Sequence, residues 1–248
     1  MIRIILPGLI TAVLVIIILA LIIGIPLGIG WVLTLFLPFS RAQAKYEVAL
    51  FLEYVPHVLG AWIPKNMDQL DSVLGQMEKT ITFLRENGII HFDCHHGNIL
   101  SDGEKIYVAD FGLVLDKNFN LSKRERDFFR QNTHYDYGEF LCNIGGCIAG
   151  TFRKSAENKQ QEIRRKYGMP DSDQHWELVP VLLEHIEEIY ADGILKLDQN
   201  YVETVVKYRK IIQLMHNFFR DMFNNNRKNS KYGHTQLKRL LKETAFIT

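Results

Sequence analysis

A short stretch in the middle of the chain, residues 88–113, constrains the fold more than any other part of the sequence. Two apolar, β-prone runs, residues 98–100 and 105–109, flank a polar segment that contains Asp102-Gly103. Asp-Gly between such runs is the strongest short hairpin signal that a sequence can carry. We therefore predict two antiparallel strands joined by a tight turn.

Three side chains with oxygen ligands stand at the open end of the predicted hairpin. Asp93 and Asn98 precede or begin the first strand, and Asp110 follows the second. Strand pairing would bring all three to one mouth, and carboxylate and amide oxygens are ligands that suit Mg²⁺. The sequence therefore predicts a magnesium site at this end of the hairpin.

The spacing H-x-D-x-x-x-x-N, followed after the hairpin by D-F-G, resembles the catalytic core of the protein-kinase-like superfamily. The resemblance implies that Asp93 accepts the proton of an attacking hydroxyl, and that Asn98 and Asp110 hold Mg²⁺ on the phosphates of ATP. His91 would brace the catalytic loop, which carries Asp93 and Asn98. The implied function is phosphoryl transfer to a hydroxyl group, dependent on ATP and Mg²⁺.

The interior of the loop resembles another branch of that superfamily. Aminoglycoside-phosphotransferase-type kinases read D-x-H-P-G-N, which His95 and Gly97 match, whereas His96 replaces the proline. On this resemblance we count His95 among the candidate cofactor-binding residues. The D-F-G motif favours a protein kinase, but the loop and the lack of an Ala-Pro-Glu motif favour a small-molecule kinase. The substrate is thus either a protein Ser/Thr or a small molecule.

Residues 46–56 have the pattern of a short strand that runs into a proline-marked turn. The segment resembles the last strand of a kinase N-lobe and its hinge. The resemblance implies that the backbone of Glu53 and Val55 bonds the adenine edge of ATP, with Leu52 at the gatekeeper position. We assign residues 41–65 to this strand and hinge.

Residues 4–40 carry no charged side chain. A membrane-spanning helix needs about 20 apolar residues, so we predict an N-terminal transmembrane segment within residues 1–40. Our preferred arrangement is one span at residues 4–23 followed by a kinked or re-entrant piece ending at Pro38. A membrane hairpin and a cleaved signal peptide are the alternatives. A domain that uses ATP on the carboxyl side of this segment requires that side to be cytoplasmic. We therefore predict a membrane protein whose kinase-like part is cytoplasmic.

The remaining residues, 66–248, predict a kinase-like C-lobe with a helical C-terminal part. Residues 67–85 repeat apolar side chains at helical spacing. Further helices are predicted over residues 140–152, 176–190 and 201–223. Asp136 could either brace the catalytic loop or cap a helix. The predicted fold class is therefore α+β, a mainly helical C-lobe with a small catalytic hairpin behind a membrane segment.

The sequence ahead of the hinge contains no match to the glycine-rich loop, strand lysine or helix glutamate of a kinase N-lobe. We therefore expect this chain to be a weak or inactive phosphotransferase unless a partner chain supplies that lobe. The main alternative is a degenerate pseudokinase that acts as a binding or scaffold protein.

A second alternative is a metal-dependent hydrolase. Histidine and carboxylate ligands would suit a transition metal, and the candidate ligands are His91, Asp93, Cys94, His95, His96 and Asp110. The formal net charge of +1 gives no argument for a nucleic-acid partner. Three cysteines without framework spacing indicate a reducing compartment.

Overall fold

The computed structural model describes four stretches of the chain, residues 32–34, 49–51, 53–225 and 230–247. The chain divides into two compact units, Met1–Pro56 and His57–Thr248. In the first unit, strand β1 (Val32–Thr34) pairs antiparallel with strand β2 (Ala49–Phe51).

The second unit is mainly helical and contains two small antiparallel sheets. Its strands are β3 (His57–Val58), β4 (Ile89–Ile90), β5 (Ile99–Ser101), β6 (Ile106–Val108) and β7 (Leu115–Asp116). Its helices are α1 (Leu59–Trp62), α2 (Leu70–Glu86), α3 (Lys123–Asn132), α4 (Tyr135–Lys154), α5 (Glu157–Tyr167), α6 (His175–Glu184), α7 (Ile186–Asp192), α8 (Gln199–Asn224) and α9 (His234–Glu243). One sheet has the order β3-β5-β6, and β4 pairs with β7.

The predicted hairpin is confirmed. β5 and β6 pair antiparallel, with Leu100 opposite Tyr107. The Asp102 carboxylate closes the turn by accepting the backbone N–H groups of Lys105 and Glu104 at 2.7 and 2.8 Å. These hydrogen bonds lower the pKa of Asp102 to about 2. The Asp-Gly signal therefore acts through the aspartate side chain as well as through the glycine.

Helix α2 confirms the predicted apolar stripe. Its buried side chains are Leu70, Val73, Leu74, Met77, Ile81 and Leu84. Asn66, ahead of the helix, makes no side-chain cap: its Nδ2 donates to the carbonyl of Trp62 at 2.8 Å, and a 3₁₀ turn at Met67–Gln69 leads into the helix. Gly88 follows the helix at φ +77°, a left-handed conformation that glycine adopts without strain.

Helix α4 is the buried centre of the second unit and packs against α6 and α8. Gly145 permits the close approach of α8, because a Cβ atom there would lie 2.4 Å from Cγ2 of Ile212. The buried hydroxyl of Tyr201 on α8 lies 3.2 and 3.1 Å from the carbonyl oxygens of Ile144 and Gly145, and accepts the N–H of Ile148 at 3.0 Å. The two helices are therefore joined by both packing and hydrogen bonds.

Two helical predictions differ from the structure. The single helix predicted over residues 176–190 is two helices, α6 and α7, which meet at His185, where φ is −105° and ψ is 19°. Helix α5 was not predicted, because Ile163 is its one buried residue and a lone apolar position gives no stripe.

The predicted transmembrane segment requires a correction. Within the part of the chain that the structure describes, no helix combines the length and the apolar character needed to cross a bilayer. The predicted span, residues 4–23, lies outside the described residues. Val32–Thr34, placed by the prediction in a membrane-embedded continuation, is strand β1, and its backbone pairs with β2. The fold class is therefore corrected to α+β, and the described residues give no support to a transmembrane segment.

Candidate active site

The loop between β4 and β5 is held by two buried acids of helix α4. Asp136 accepts the backbone N–H groups of His91 at 2.8 Å and Phe92 at 2.9 Å, one on each carboxylate oxygen. Glu139, one turn further along α4, accepts the N–H of Cys94 at 2.7 Å. Buried N–H groups require such partners. Helix α4 therefore fixes the conformation of this loop, including Phe92 at φ +61°.

Burial changes the protonation of both acids. Desolvation raises the pKa of Asp136 above its ordinary value, although the hydrogen bonds from the loop oppose the change. Burial raises the pKa of Glu139 to about 8, so this carboxyl is largely protonated at neutral pH. Asp136 acts as a brace and makes no helix cap. Glu139 was not predicted, and its spacing of three residues from Asp136 on one helix is the signal that could have found it.

His91 ties the loop to the hairpin. Its Nε2 lies 2.9 Å from the carbonyl oxygen of Ala109, and its Nδ1 accepts the N–H of Asp93 at 3.3 Å. Because a carbonyl oxygen can only accept, Nε2 carries the ring proton. The ring of Phe111 packs edge-on against the imidazole, with centroids 4.7 Å apart. His91 is fully buried, and these contacts are those of a bracing residue.

The structure brings Asp93, Asn98 and His95 together. Nδ2 of Asn98 donates to the backbone carbonyl of Asp93 at 2.9 Å and to its Oδ2 at 2.8 Å. The other carboxylate oxygen, Oδ1, lies 3.5 Å from Nε2 of His95. Nδ1 of His95 accepts the N–H of Gly97 at 2.9 Å, which directs Nε2 towards the carboxylate. The Asp93 side chain is therefore oriented on both sides and stays 29% exposed.

Asp110 lies on the second strand's side of the mouth. The N–H of Ala109, the preceding residue, donates to the carbonyl of Asn98 at 2.8 Å, which fixes the spacing of the two backbones. Asp110 is exposed, has φ +57° and ψ +69°, and accepts the N–H of Gly112 on Oδ1 at 3.3 Å. These contacts join Asp93 to Asn98 and the backbone before Asp110 to Asn98. That the Asp110 side chain meets the other two at one mouth stays a prediction.

The oxygens left over at this mouth fit Mg²⁺. Both hydrogen bonds of the Asn98 amide use its nitrogen, which leaves Oδ1 for a ligand. Asp110 uses Oδ1 for its turn and retains Oδ2. Magnesium takes one or two protein oxygens and completes its shell with water and phosphate oxygens. Asn98 and Asp110 would therefore be the residues that hold it.

The structure does not test the predicted hinge. Leu52 lies outside the described residues. Glu53 is exposed and Val55 is half-buried, and both belong to the first unit, whereas the loop and hairpin belong to the second. Their contact with an adenine ring stays a prediction.

The hydrolase alternative gains nothing from the loop geometry. Among the described residues, no three His, Cys, Asp or Glu side chains are placed to hold a metal ion. Both ring nitrogens of His91 are used in hydrogen bonds. Burial raises the pKa of Cys94, which keeps the thiol protonated, whereas metal ligation requires a thiolate.

The loop, the hairpin and the D-F-G turn are the segments on which the resemblance to kinases rests. No protein-family model matches the chain. A stretch of 98 aligned residues is 37% identical to the serine/threonine-protein kinase PKH2 of Saccharomyces cerevisiae. The alignment covers 36% of this chain and 9% of the yeast protein. This partial similarity supports a kinase-like relationship for the chain.

Proposed function

We propose that the second unit contains a kinase-like phosphotransferase site. This site would bind ATP with Mg²⁺ and transfer a phosphoryl group to a hydroxyl group. The observation that supports the proposal is the pair of hydrogen bonds from the Asn98 amide to Asp93, beside the strand end that leads into Asp110. The backbone bond from Ala109 to Asn98 joins the two strand ends at this point. The partial similarity to a Ser/Thr kinase supports the same class.

Asp93 is the proposed proton acceptor. Its carboxylate is held by Asn98 on one oxygen and faces His95 on the other. A carboxylate fixed in this way orients a substrate hydroxyl and accepts its proton as the hydroxyl oxygen attacks the phosphoryl group. When bound beside Asn98 and Asp110, Mg²⁺ would neutralise phosphate charge. His95, at 43% side-chain exposure, is accessible to the nucleotide.

The proposed rate of transfer is low for this chain alone. The sequence ahead of the hinge has no match to the lysine and glycine-rich loop that clamp the phosphates of a kinase substrate. Loss of one preorganised charge contact lowers a rate by about 10² to 10³. A partner chain that supplies such contacts would raise the rate, whereas a protein that binds nucleotide without transferring phosphate would be a pseudokinase.

The test is phosphoryl transfer by the full chain, measured with γ-labelled ATP and Mg²⁺. The acceptors are water, the chain itself, Ser/Thr peptides and small alcohols or aminoglycosides. We expect a slow transfer that Asp93→Asn lowers by about 10² to 10⁴, because proton acceptance is removed at nearly unchanged shape. The matched control is Asp71→Asn, an exposed residue of α2. A measurable transfer that Asp93→Asn leaves unchanged would contradict the proposed role.

The acceptor that is labelled decides the substrate class. Transfer to peptides supports a protein kinase, and transfer to a small alcohol supports a small-molecule kinase. Nucleotide binding with no transfer to any acceptor would favour the binding or scaffold alternative.

A further inference from the structure

A large cavity opens in the second unit behind the catalytic loop. Its volume is about 1030 Å³, and it lies along α4 against the segments that carry Gly60, His96 and His175. Ligand pockets for small organic molecules have volumes of roughly 300 to 1,000 Å³. The cavity is therefore large enough for a whole metabolite, not for a single ion alone. It contains neither Asp93 nor Asp110 in its walls.

The charged side chains of the cavity are almost all cationic. The cationic side chains are Lys65, Arg153, Lys154, Lys159 and Lys196. Within the described residues, none of these five cations forms an ion pair with an acid. Glu139 is the one acid in the lining, and burial raises its pKa to about 8, so it opposes an anion only weakly at neutral pH. The cavity therefore favours a negatively charged occupant.

The inner wall offers a polar atom that lacks a partner. His96 is 6% exposed, and its Nε2 is buried without a hydrogen bond. The backbone of this histidine is fixed, because its carbonyl accepts the N–H of Gly60 at 3.1 Å, and its ring packs 5.6 Å from that of Phe140. A buried ring nitrogen without a partner destabilises the folded chain. Because His96 also lines the cavity, a ligand polar group that reaches this nitrogen would give it a hydrogen-bond partner.

Apolar side chains complete the lining. Trp176, Ile194, Leu195 and Phe219 contribute to the walls. A lone phosphate or sulfate would leave these surfaces in contact with water, whereas an organic ligand with an apolar or ring-shaped body would cover them.

We propose that this cavity binds a small organic molecule bearing a phosphate or carboxylate group, which the lysines and Arg153 attract and His96 contacts at the inner wall. The site is separate from the proposed Mg²⁺–nucleotide mouth. Because His96 belongs to the catalytic loop and Glu139 braces it, an occupant would also stabilise that loop.

The experiment uses the full chain and ligand-detected binding with defined probes. These are phenyl phosphate and benzoate as the two anionic classes, phenol as the neutral control, and inorganic phosphate as the lone ion. We expect phenyl phosphate or benzoate to bind with a dissociation constant near 1 mM, which is usual for a fragment of this size. Phenol and inorganic phosphate should bind at least about tenfold more weakly, because phenol lacks the anionic group and inorganic phosphate lacks the apolar ring.

Variants place the binding in the cavity. Lys154→Gln with Lys159→Gln removes two exposed cations and should weaken the anionic probes at least about tenfold, whereas the matched double variant Lys123→Gln with Lys231→Gln, outside the lining, should not. Binding of the anionic probes should persist without Mg²⁺ and in the Asp110→Asn variant. A failure of the cavity proposal is therefore distinguishable from a failure of the proposed nucleotide site. Two results would overturn the proposal. One is no binding of either anionic probe at about 10 mM, ten times the expected dissociation constant. The other is binding that the Lys154/Lys159 variant leaves unchanged.

Discussion

Replacing Asp136 by alanine should release the catalytic loop from helix α4. Asp136 is 3% exposed, and its carboxylate accepts the backbone N–H groups of His91 and Phe92. Alanine cannot accept either hydrogen bond, and the space that it leaves is in the interior. Phe92 loses the contact that helps to hold it at φ +61°.

The expected destabilisation follows from the two N–H groups. Each buried donor left without a partner costs about 1 to 3 kcal/mol. Part of that cost is offset, because the variant no longer buries a carboxyl group whose pKa is raised by desolvation. We expect a net loss of about 3 kcal/mol in the free energy of unfolding.

Urea unfolding of the full chain at neutral pH measures this loss. With a urea dependence of about 3 kcal/mol/M, the midpoint of unfolding should fall by about 1 M. Asp136→Asn should lose less, because the amide oxygen can still accept one N–H. Asp171→Ala, an exposed control, should change stability by less than about 0.5 kcal/mol. An Asp136→Ala protein as stable as that control would refute the bracing account.

Two further predictions concern other residues of α4. Glu139→Gln should remove a pH-dependent loss of stability. The folded chain keeps this proton up to about pH 8, whereas an unfolded glutamate releases it near 4.3, so the wild type loses up to about 5 kcal/mol as pH rises across this interval. Urea unfolding at pH 5 and pH 8 should show the variant gaining on the wild type at the higher pH, and equal pH dependence would contradict the raised pKa. Gly145→Ala should lower stability by about 1 to 3 kcal/mol, because its Cβ would meet Ile212 at 2.4 Å. Gly150→Ala on the same helix, with no atom within 4 Å of its Cβ, should be neutral or slightly stabilising in thermal unfolding, and a similar loss in both would contradict the close helix contact.

The hairpin and the stripe of α2 could be predicted because each depends on local rules. Asp102-Gly103 defines its own turn through hydrogen bonds within four residues, and helical spacing alone identifies the buried face of α2. The meeting of Asp93 with Asn98 follows from the short loop between them. Each of these features is contained in a few adjacent residues.

Contacts between distant segments were harder to predict, and the brace formed by Asp136 was expected only from the resemblance to kinases. Glu139 reaches Cys94 across 45 residues of sequence, and its spacing from Asp136 indicates a shared helix face but does not identify its partner. The cavity beside His96 gathers lysines from several segments that have no common motif. Apolar content alone led to the transmembrane prediction, and Val32–Thr34 shows that such a run can also supply a paired strand.

The central claim is that the hairpin mouth binds a nucleotide through Mg²⁺, and a thermal-shift titration of the full chain with ATP tests it most directly. Asp110→Asn is the informative variant, because asparagine tolerates the left-handed backbone of Asp110 but lacks its charge. Asp171→Asn is the exposed control. At 100 times the dissociation constant, ATP should stabilise the wild type by about 2.7 kcal/mol, or about 5 to 10 °C. The account predicts a rise that requires Mg²⁺ and is lost in Asp110→Asn, and no rise with Mg²⁺, or an equal rise in Asp110→Asn, would contradict it.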